Sequence, residues 1–165
     1  MFKKALITIC LVLLLAYNSF AASSMVVGTV LKHPTSDNPS RIVIPVSLTA
    51  HTDGTFDPKT ITNTEVGMSY GTQGYYLIHA WIKNAATPYA AGGAMVITDS
   101  TAQQIVSTAS TDTLAFPTGA SGIVNLVSTR NYTQRPILGT LTLSPTTTTT
   151  TGSKATLYLV LDKGK

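Results

Sequence analysis

Two apolar runs near the C-terminus, Ile137 to Leu143 and Ala155 to Leu161, constrain this chain more than any other stretch. In the second, Ala155, Leu157, Leu159 and Leu161 alternate with Thr156, Tyr158 and Val160. In the first, Ile137, Leu141 and Leu143 share one parity. Successive strand side chains point to opposite faces, so period-two alternation of this kind places one face on a core. The pattern predicts two neighbouring strands carrying much of the core. They are joined by a threonine-rich loop over 144–153 that contains the six-threonine tract Thr146 to Thr151.

The N-terminus points to export. Met1-Phe2-Lys3-Lys4 is followed by an apolar run from Ala5 to Tyr17 and then by Asn18-Ser19-Phe20-Ala21-Ala22. A short basic region, an apolar stretch and a small-x-Ala end are the marks of a secretory signal peptide. The expected organisation is a signal peptide over 1–21, cleaved after Ala21, and one domain over 22–165. A spanning helix wants about 20 apolar residues, and Asn18 and Ser19 interrupt the run before that. Membrane contact is therefore expected only through the signal peptide before cleavage. Cys10 lies inside the apolar run, preceded by Ile9, which does not suit lipidation. It is the sole cysteine, so the processed chain has no disulfide and must be held by its core, its strand ladders or its neighbours.

Of eleven Lys and Arg, Lys3 and Lys4 leave with the signal, and nine remain against seven Asp and Glu. The nine are scattered, with no basic stripe to neutralise a phosphate backbone, so nucleic acid is not an expected partner.

Within 22–165 the strand signals are numerous and short. Ile42 to Ala50 places Ile42, Ile44, Val46, Leu48 and Ala50 on one face and Pro45 on the other. Proline cannot donate to a ladder, so this strand should lie at an edge or carry a bulge at Pro45. Asp53-Gly54 after it is a hairpin signal. Ile61 to Tyr70 is β-prone but mixed. Tyr75 to Lys83 reads as a central strand with both faces largely apolar, with Tyr75, Leu77, His79 and Trp81 on one parity. Runs at Ala94 to Thr98, Gln104 to Ser107, Leu114 to Phe116 and Ile123 to Val127 complete the set. No segment carries a sustained 3.6-residue period. The reading is all-β: a single Ig-like or jelly-roll β-sandwich of about eight to ten short antiparallel strands.

Chemistry-bearing motifs are sparse. His33, His51 and His79 have neither a histidine four residues away nor a carboxylate at ligand spacing, and are read as solvated or core residues. Ser69 sits in Gly67-Met68-Ser69-Tyr70-Gly71, which matches Gly-x-Ser-x-Gly. A nucleophile elbow, however, needs a strand before it, a helix after it, and an acid followed by a histidine downstream. Here His79 precedes Asp99, Asp112 and Asp162. Seven singly spaced acids offer no carboxylate pair for glycoside hydrolysis. The expectation is a non-enzyme with no catalytic, metal or cofactor-binding residues and no cofactor.

Tyr70, Tyr75, Tyr76, Trp81 and Tyr89 are candidates for a carbohydrate-stacking platform, with Tyr75 and Trp81 sharing parity; the competing expectation makes Trp81 core. Asn131-Tyr132-Thr133 has the form of a glycosylation sequon, and the threonine tract offers O-linked sites. Only 11% of residues are charged, unusual for a dilute monomer and natural for a protein that is packed against its own copies or carries sugars.

These features predict an exported structural protein at the cell surface or outside the cell. The expected partner is the chain itself, in a pilus-like homopolymer built by strand addition, with Ala22 to Leu31 as the donor. In architecture this resembles donor-strand pilins, which are exported Ig-like sandwiches with an alternating N-terminal extension. Two features depart from that pattern: Val26 and Val27 fill both parities, and the chain ends in Lys163-Gly164-Lys165 rather than an aromatic motif. The alternative reading is a monomeric secreted module for a glycan or a cell-surface protein.

Overall fold

The computed structural model describes residues 23–35, 38–51, 54–84, 94–105, 114–115, 123–125, 136–145 and 153–163. The signal-peptide region, Cys10, Tyr89, Asn131 and the threonine tract lie outside the described residues.

Ten strands are described: β1 (Ser24–Val27), β2 (Leu31–His33), β3 (Arg41–Thr49), β4 (Lys59–Ile61), β5 (Tyr75–Asn84), β6 (Ala94–Asp99), β7 (Leu114–Ala115), β8 (Ile123–Asn125), β9 (Leu141–Pro145) and β10 (Lys154–Lys163). All pairings are antiparallel, and the strands form two sheets. One sheet runs β3–β10–β5–β8, with β1 and β2 both laid along the outer side of β3; the other runs β4–β9–β6–β7. Among the described residues the chain is all-β apart from one helical turn, α1 (Asn63–Val66).

The alternation read from the sequence is the physical cause of this arrangement. Ile42, Ile44, Val46 and Leu48 of β3 are buried beside Ala155, Leu157, Leu159 and Leu161 of β10. Ile61 of β4, Met95 and Ile97 of β6, and Leu141 and Leu143 of β9 supply the other sheet, and all of these belong to one buried cluster. Each Val, Leu, Ile or Met side chain among these contributes about 1.5–3 kcal/mol by leaving water.

β9 and β10 arise from the two runs expected to be neighbours, although of the run Ile137 to Leu143 only Leu141 onward is strand. They are not paired with each other: β9 pairs with β4 and β6, β10 with β3 and β5. Both bury their alternate leucines, so the same periodicity serves two strands in different sheets. β9 extends to Pro145, so residues 144–145 belong to a strand rather than to the predicted loop. The Asp53-Gly54 signal is corrected in the same way. Asp53 lies outside the described residues; Gly54 donates its N–H to the His51 carbonyl, yet β3 before it and β4 after it lie in different sheets. A turn signal reports chain reversal, and which strand becomes the partner depends on the rest of the sheet.

The stretch read as mixed β at Ile61 to Tyr70 contains α1. Thr62 caps it, its hydroxyl accepting the Glu65 N–H while the Glu65 carboxylate accepts the Thr62 N–H, which satisfies two otherwise orphan donors. Burial pushes the Glu65 carboxyl up, but bonds from Lys59 and Thr62 outweigh it and leave it below its usual range. Gly67 closes the turn at φ +65°, a left-handed conformation suited to glycine. The signal was present as Thr62-x-x-Glu65, too short to produce helical periodicity.

A second corner is built on Asp99. Its buried carboxylate accepts the backbone N–H groups of Thr101 and Leu138 and the Thr101 hydroxyl, which ties the end of β6 to the approach to β9. A polar group this deep is tolerated only where hydrogen-bond partners surround it.

Leu159→Ala should lower unfolding free energy by about 2–5 kcal/mol, as expected for a buried leucine truncated in a packed core. Thr156→Ala, on the opposite face of the same strand, should stay within about 0.5 kcal/mol. Urea melts of the two variants check the assignment of faces along β10.

Candidate functional site

The features best able to carry a function are the N-terminal edge of the six-stranded sheet and that sheet's outer face. The edge comes first. β1 pairs with β3 from Ser24↔Thr49 to Val27↔Val46, and β2 from Leu31↔Val43 to His33↔Arg41. Between these ladders, Gly28–Val30 offers three residues against two, a one-residue bulge. Pro45 lies opposite it. Its carbonyl accepts the Gly28 N–H at 2.8 Å, but it has no N–H to return. Gly28 fits because a Cβ there would stand 3.2 Å from the Pro45 ring. The bulge expected at Pro45 is therefore present, but on the partner strand. The edge position is not borne out, because β10 flanks β3 on one side and β1 and β2 on the other.

The bulge also resolves the mixed parity of the N-terminal segment. Met25 and Val27 face the core cluster, while Val26 faces outward and is 57% exposed. After the bulge the parity is reset: Val30 packs on the core and Leu31 is 62% exposed.

A polar cluster holds the first described residue of this edge. Ser23 donates its backbone N–H to His51 Nδ1 at 2.8 Å and its hydroxyl to Asp57 Oδ2 at 2.9 Å; its Oγ accepts the Asp57 N–H at 2.9 Å. His51 Nε2 lies 3.1 Å from the same Asp57 oxygen. The cluster joins the start of β1 to the connection between β3 and β4. It was not legible in the sequence, because Ser23 and His51 stand 28 positions apart. Although serine, histidine and aspartate meet here, the serine hydroxyl bonds the carboxylate and not the imidazole, so the ring is not placed to take its proton.

The outer face is set by a second bulge. β5 pairs with β10 in one register from Ala155↔Asn84 to Val160↔His79 and in another from Leu161↔Leu77, which leaves Ile78 unpaired. One extra residue flips every later side chain. Tyr75 and Leu77 face the core side, as do Ala80 and Ile82, whereas His79 and Trp81 face outward. The shared parity of Tyr75 and Trp81 is thus broken, and the expectation of Trp81 as core is corrected. Trp81 is half-buried and stacks on Tyr158 at 5.0 Å between centroids, with His79 tilted against it at 5.4 Å.

Register places Pro45, Tyr158 and Trp81 in one row across this face, and Leu31, Val43, Val160 and His79 in the next. Val160 is only 8% exposed although it lies outside the core cluster. The flanking rows are polar: the Arg41–Asp162 ion pair at 2.8 Å on one side, and Ser47, Thr156 and Lys83 on the other.

The remaining candidates are dispersed. Tyr75 is buried at 2% exposure, its hydroxyl donating to the Pro39 carbonyl at 2.5 Å, so it has no face for a sugar. Tyr70 is exposed, and Tyr76 is half-buried on the outer row. His33 ends β2, His51 follows β3, and His79 lies on the outer face of β5; no group of three or more metal-ligating residues is found among the described residues. Ser69 lies in the turns between α1 and β5, beside an open depression of about 470 Å³ lined by Asn63, Thr64, Gly67, Met68 and Ser69. Helix before and strand after is the reverse of a nucleophile elbow.

No family model matches the chain, and no curated protein or solved structure matches it either.

Burial pushes the Tyr75 phenol above its ordinary value of 10.0, and the Asp162 carboxylate adds to the shift. The folded protein then holds a proton that the unfolded chain releases, so stability falls as pH rises past about 10. Tyr75→Phe should cost about 1 kcal/mol at neutral pH through the lost hydrogen bond. It should also flatten the alkaline fall, which denaturant melts between pH 8 and about 11 would read.

Proposed function

We propose that the chain is an exported structural subunit that self-associates into an extracellular or cell-surface filament by exchanging its N-terminal edge strand. Signal cleavage after Ala21 would leave residues 22–165 as one domain, its two sheets the layers of an Ig-like or jelly-roll sandwich.

The observation that carries this reading is the position of β1 and β2. They form an outer strand of their sheet, follow closely on the predicted cleavage site, and attach to β3 through a backbone ladder, with Met25 the one side chain of β1 and β2 that is buried. A second copy presents the same strand to the same edge, so exchange costs no contacts. The bonds made in trans repeat those made in cis, and growth follows wherever the exchange is not reciprocal. A surface with few charges and many hydroxyls suits subunits that lie against one another. The role is structural, without catalysis, cofactor or nucleic acid.

Negative-stain microscopy and size-exclusion chromatography of the processed protein test this. Filaments or a ladder of oligomers are expected, and removal of residues 22–31 should abolish them. Adding a synthetic peptide of residues 22–33 to that variant should return soluble, capped monomers. A protein that is monomeric with and without the segment would sink the proposal.

The aromatic outer face favours a second reading, a secreted module that binds a cell-surface partner. A stacked pair uses one face of each ring on the other, which suits a protein partner better than a sugar that needs an open ring face. Trp81→Ala should then weaken capture on cells by about tenfold or more without lowering Tm by more than a few degrees, as for the loss of an aromatic interface anchor. Glycan-array binding that survives in the wild type and is lost in this variant would instead assign a sugar ligand.

A further inference from the structure

We propose that His51 is a protonation-controlled latch on the N-terminal strand, holding the start of β1 while its imidazole is neutral and releasing it when the ring gains a second proton. This rests on the reading of β1 as the exchangeable strand, and supplies its regulation.

The chemistry follows from which atoms can donate. A backbone N–H can only donate, so the bond from Ser23 requires an unprotonated Nδ1 on His51. In the neutral ring the proton then sits on Nε2 and points to Asp57 Oδ2. Protonation puts a second N–H on Nδ1, directly opposite the Ser23 N–H at 2.8 Å. Two donors cannot share that contact, and the bond is lost.

The groups around the ring direct the outcome. From the β1 side His51 meets an uncharged amide. From the β3–β4 connection it meets the Asp57 carboxylate, which pairs more strongly with an imidazolium than with a neutral ring. Asp57 Oδ2 also accepts the Ser23 hydroxyl, so a stronger pull from the imidazolium competes for that same oxygen. Two of the bonds that Ser23 makes to this pair weaken together, while the ring stays with Asp57. Ser153, which lies before β10 and bonds Ala50 through its backbone, adds no charge. Histidine is the side chain whose ordinary ionisation falls between pH 5 and 8, which is the window the experiment below spans.

Position makes the release matter. Ser23 immediately precedes β1, a strand of four residues that ends at the Gly28–Val30 bulge. A short edge strand opens from its free end, and the cluster is what closes that end. Acid therefore uncovers the Val46–Thr49 edge of β3 for a strand from another copy.

Hydrogen exchange on the full chain, processed as its host processes it, tests the latch at pH 7.5 and 5.5, with labelling times matched for the intrinsic pH effect. Protection over residues 23–27 should fall about tenfold in the wild type on going to pH 5.5, the effect of losing one hydrogen bond. His51→Asn carries an amide oxygen in the place of Nδ1 and accepts at both pH values, so its protection should be high and unchanged. His51→Ala should be low at both. Equal wild-type protection at the two pH values, or the same fall in His51→Asn, would overturn the latch. Microscopy of the same samples separates the two ideas: pH-dependent protection without filaments keeps the latch and ends the strand-exchange reading.

Discussion

β10 is the strand on which the rest of the structure depends. It is paired along its whole length on both sides, with β3 from Lys154↔Thr49 to Asp162↔Arg41 and with β5 from Ala155↔Asn84 to Lys163↔Tyr75. One face buries Ala155, Leu157, Leu159 and Leu161 in the common core. The chain has one cysteine and therefore no internal disulfide, so this ladder and the burial beneath it must stabilise the six-stranded sheet unaided. Because β10 occupies the middle, β3 is displaced toward the margin, and its outer side is left to the short segments β1 and β2. The candidate assembly edge is a consequence of where the best-patterned strand sits.

Two single-residue irregularities then decide which side chains face outward. Opposite Pro45, the absence of an N–H removes any reason for a neighbouring strand to stay in register, and the edge bulges at Gly28–Val30. At Ile78 the bulge against β10 reverses the facing of the strand, burying Tyr75 and turning Trp81 toward Tyr158. Both bulges separate residues that a simple count of parity would have grouped. They also place apolar and aromatic side chains in rows on a face usually left polar, with the Arg41–Asp162 pair at one margin.

Attachment is unequal across the six-stranded sheet. β10 is bonded on both edges and buried, whereas β1 is four residues long, bonded on one edge, and anchored at its start by Ser23, His51 and Asp57. Local opening begins where buried contacts are few. β1, attached through backbone bonds and a polar cluster, is the element that the proposed exchange would use, and the latch proposed at His51 acts on that same attachment.

The sequence by itself determined the all-β class and the inward faces of the cleanly alternating strands. Period-two alternation is local, and burying apolar area rewards it in any sheet, so β3 and β10 and their buried residues were legible almost residue by residue, whereas of the run Ile137 to Leu143 only Leu141 onward is strand. Pro45 announced a bulge for the same reason, since a missing donor is a property of one residue. Strand partnership was not local. β9 and β10 carry the same pattern and entered different sheets, because alternation specifies a face and leaves the neighbour open. The four-residue helix α1 was short enough that only its Thr62–Glu65 cap could have revealed it. The facing of Trp81 turned on a bulge that arises between two strands, and the meeting of Ser23, His51 and Asp57 on a fold that brings a strand's start to the end of another. Those outcomes rest on hydrogen bonds between distant segments, which no local pattern encodes and only the assembled sheets decide.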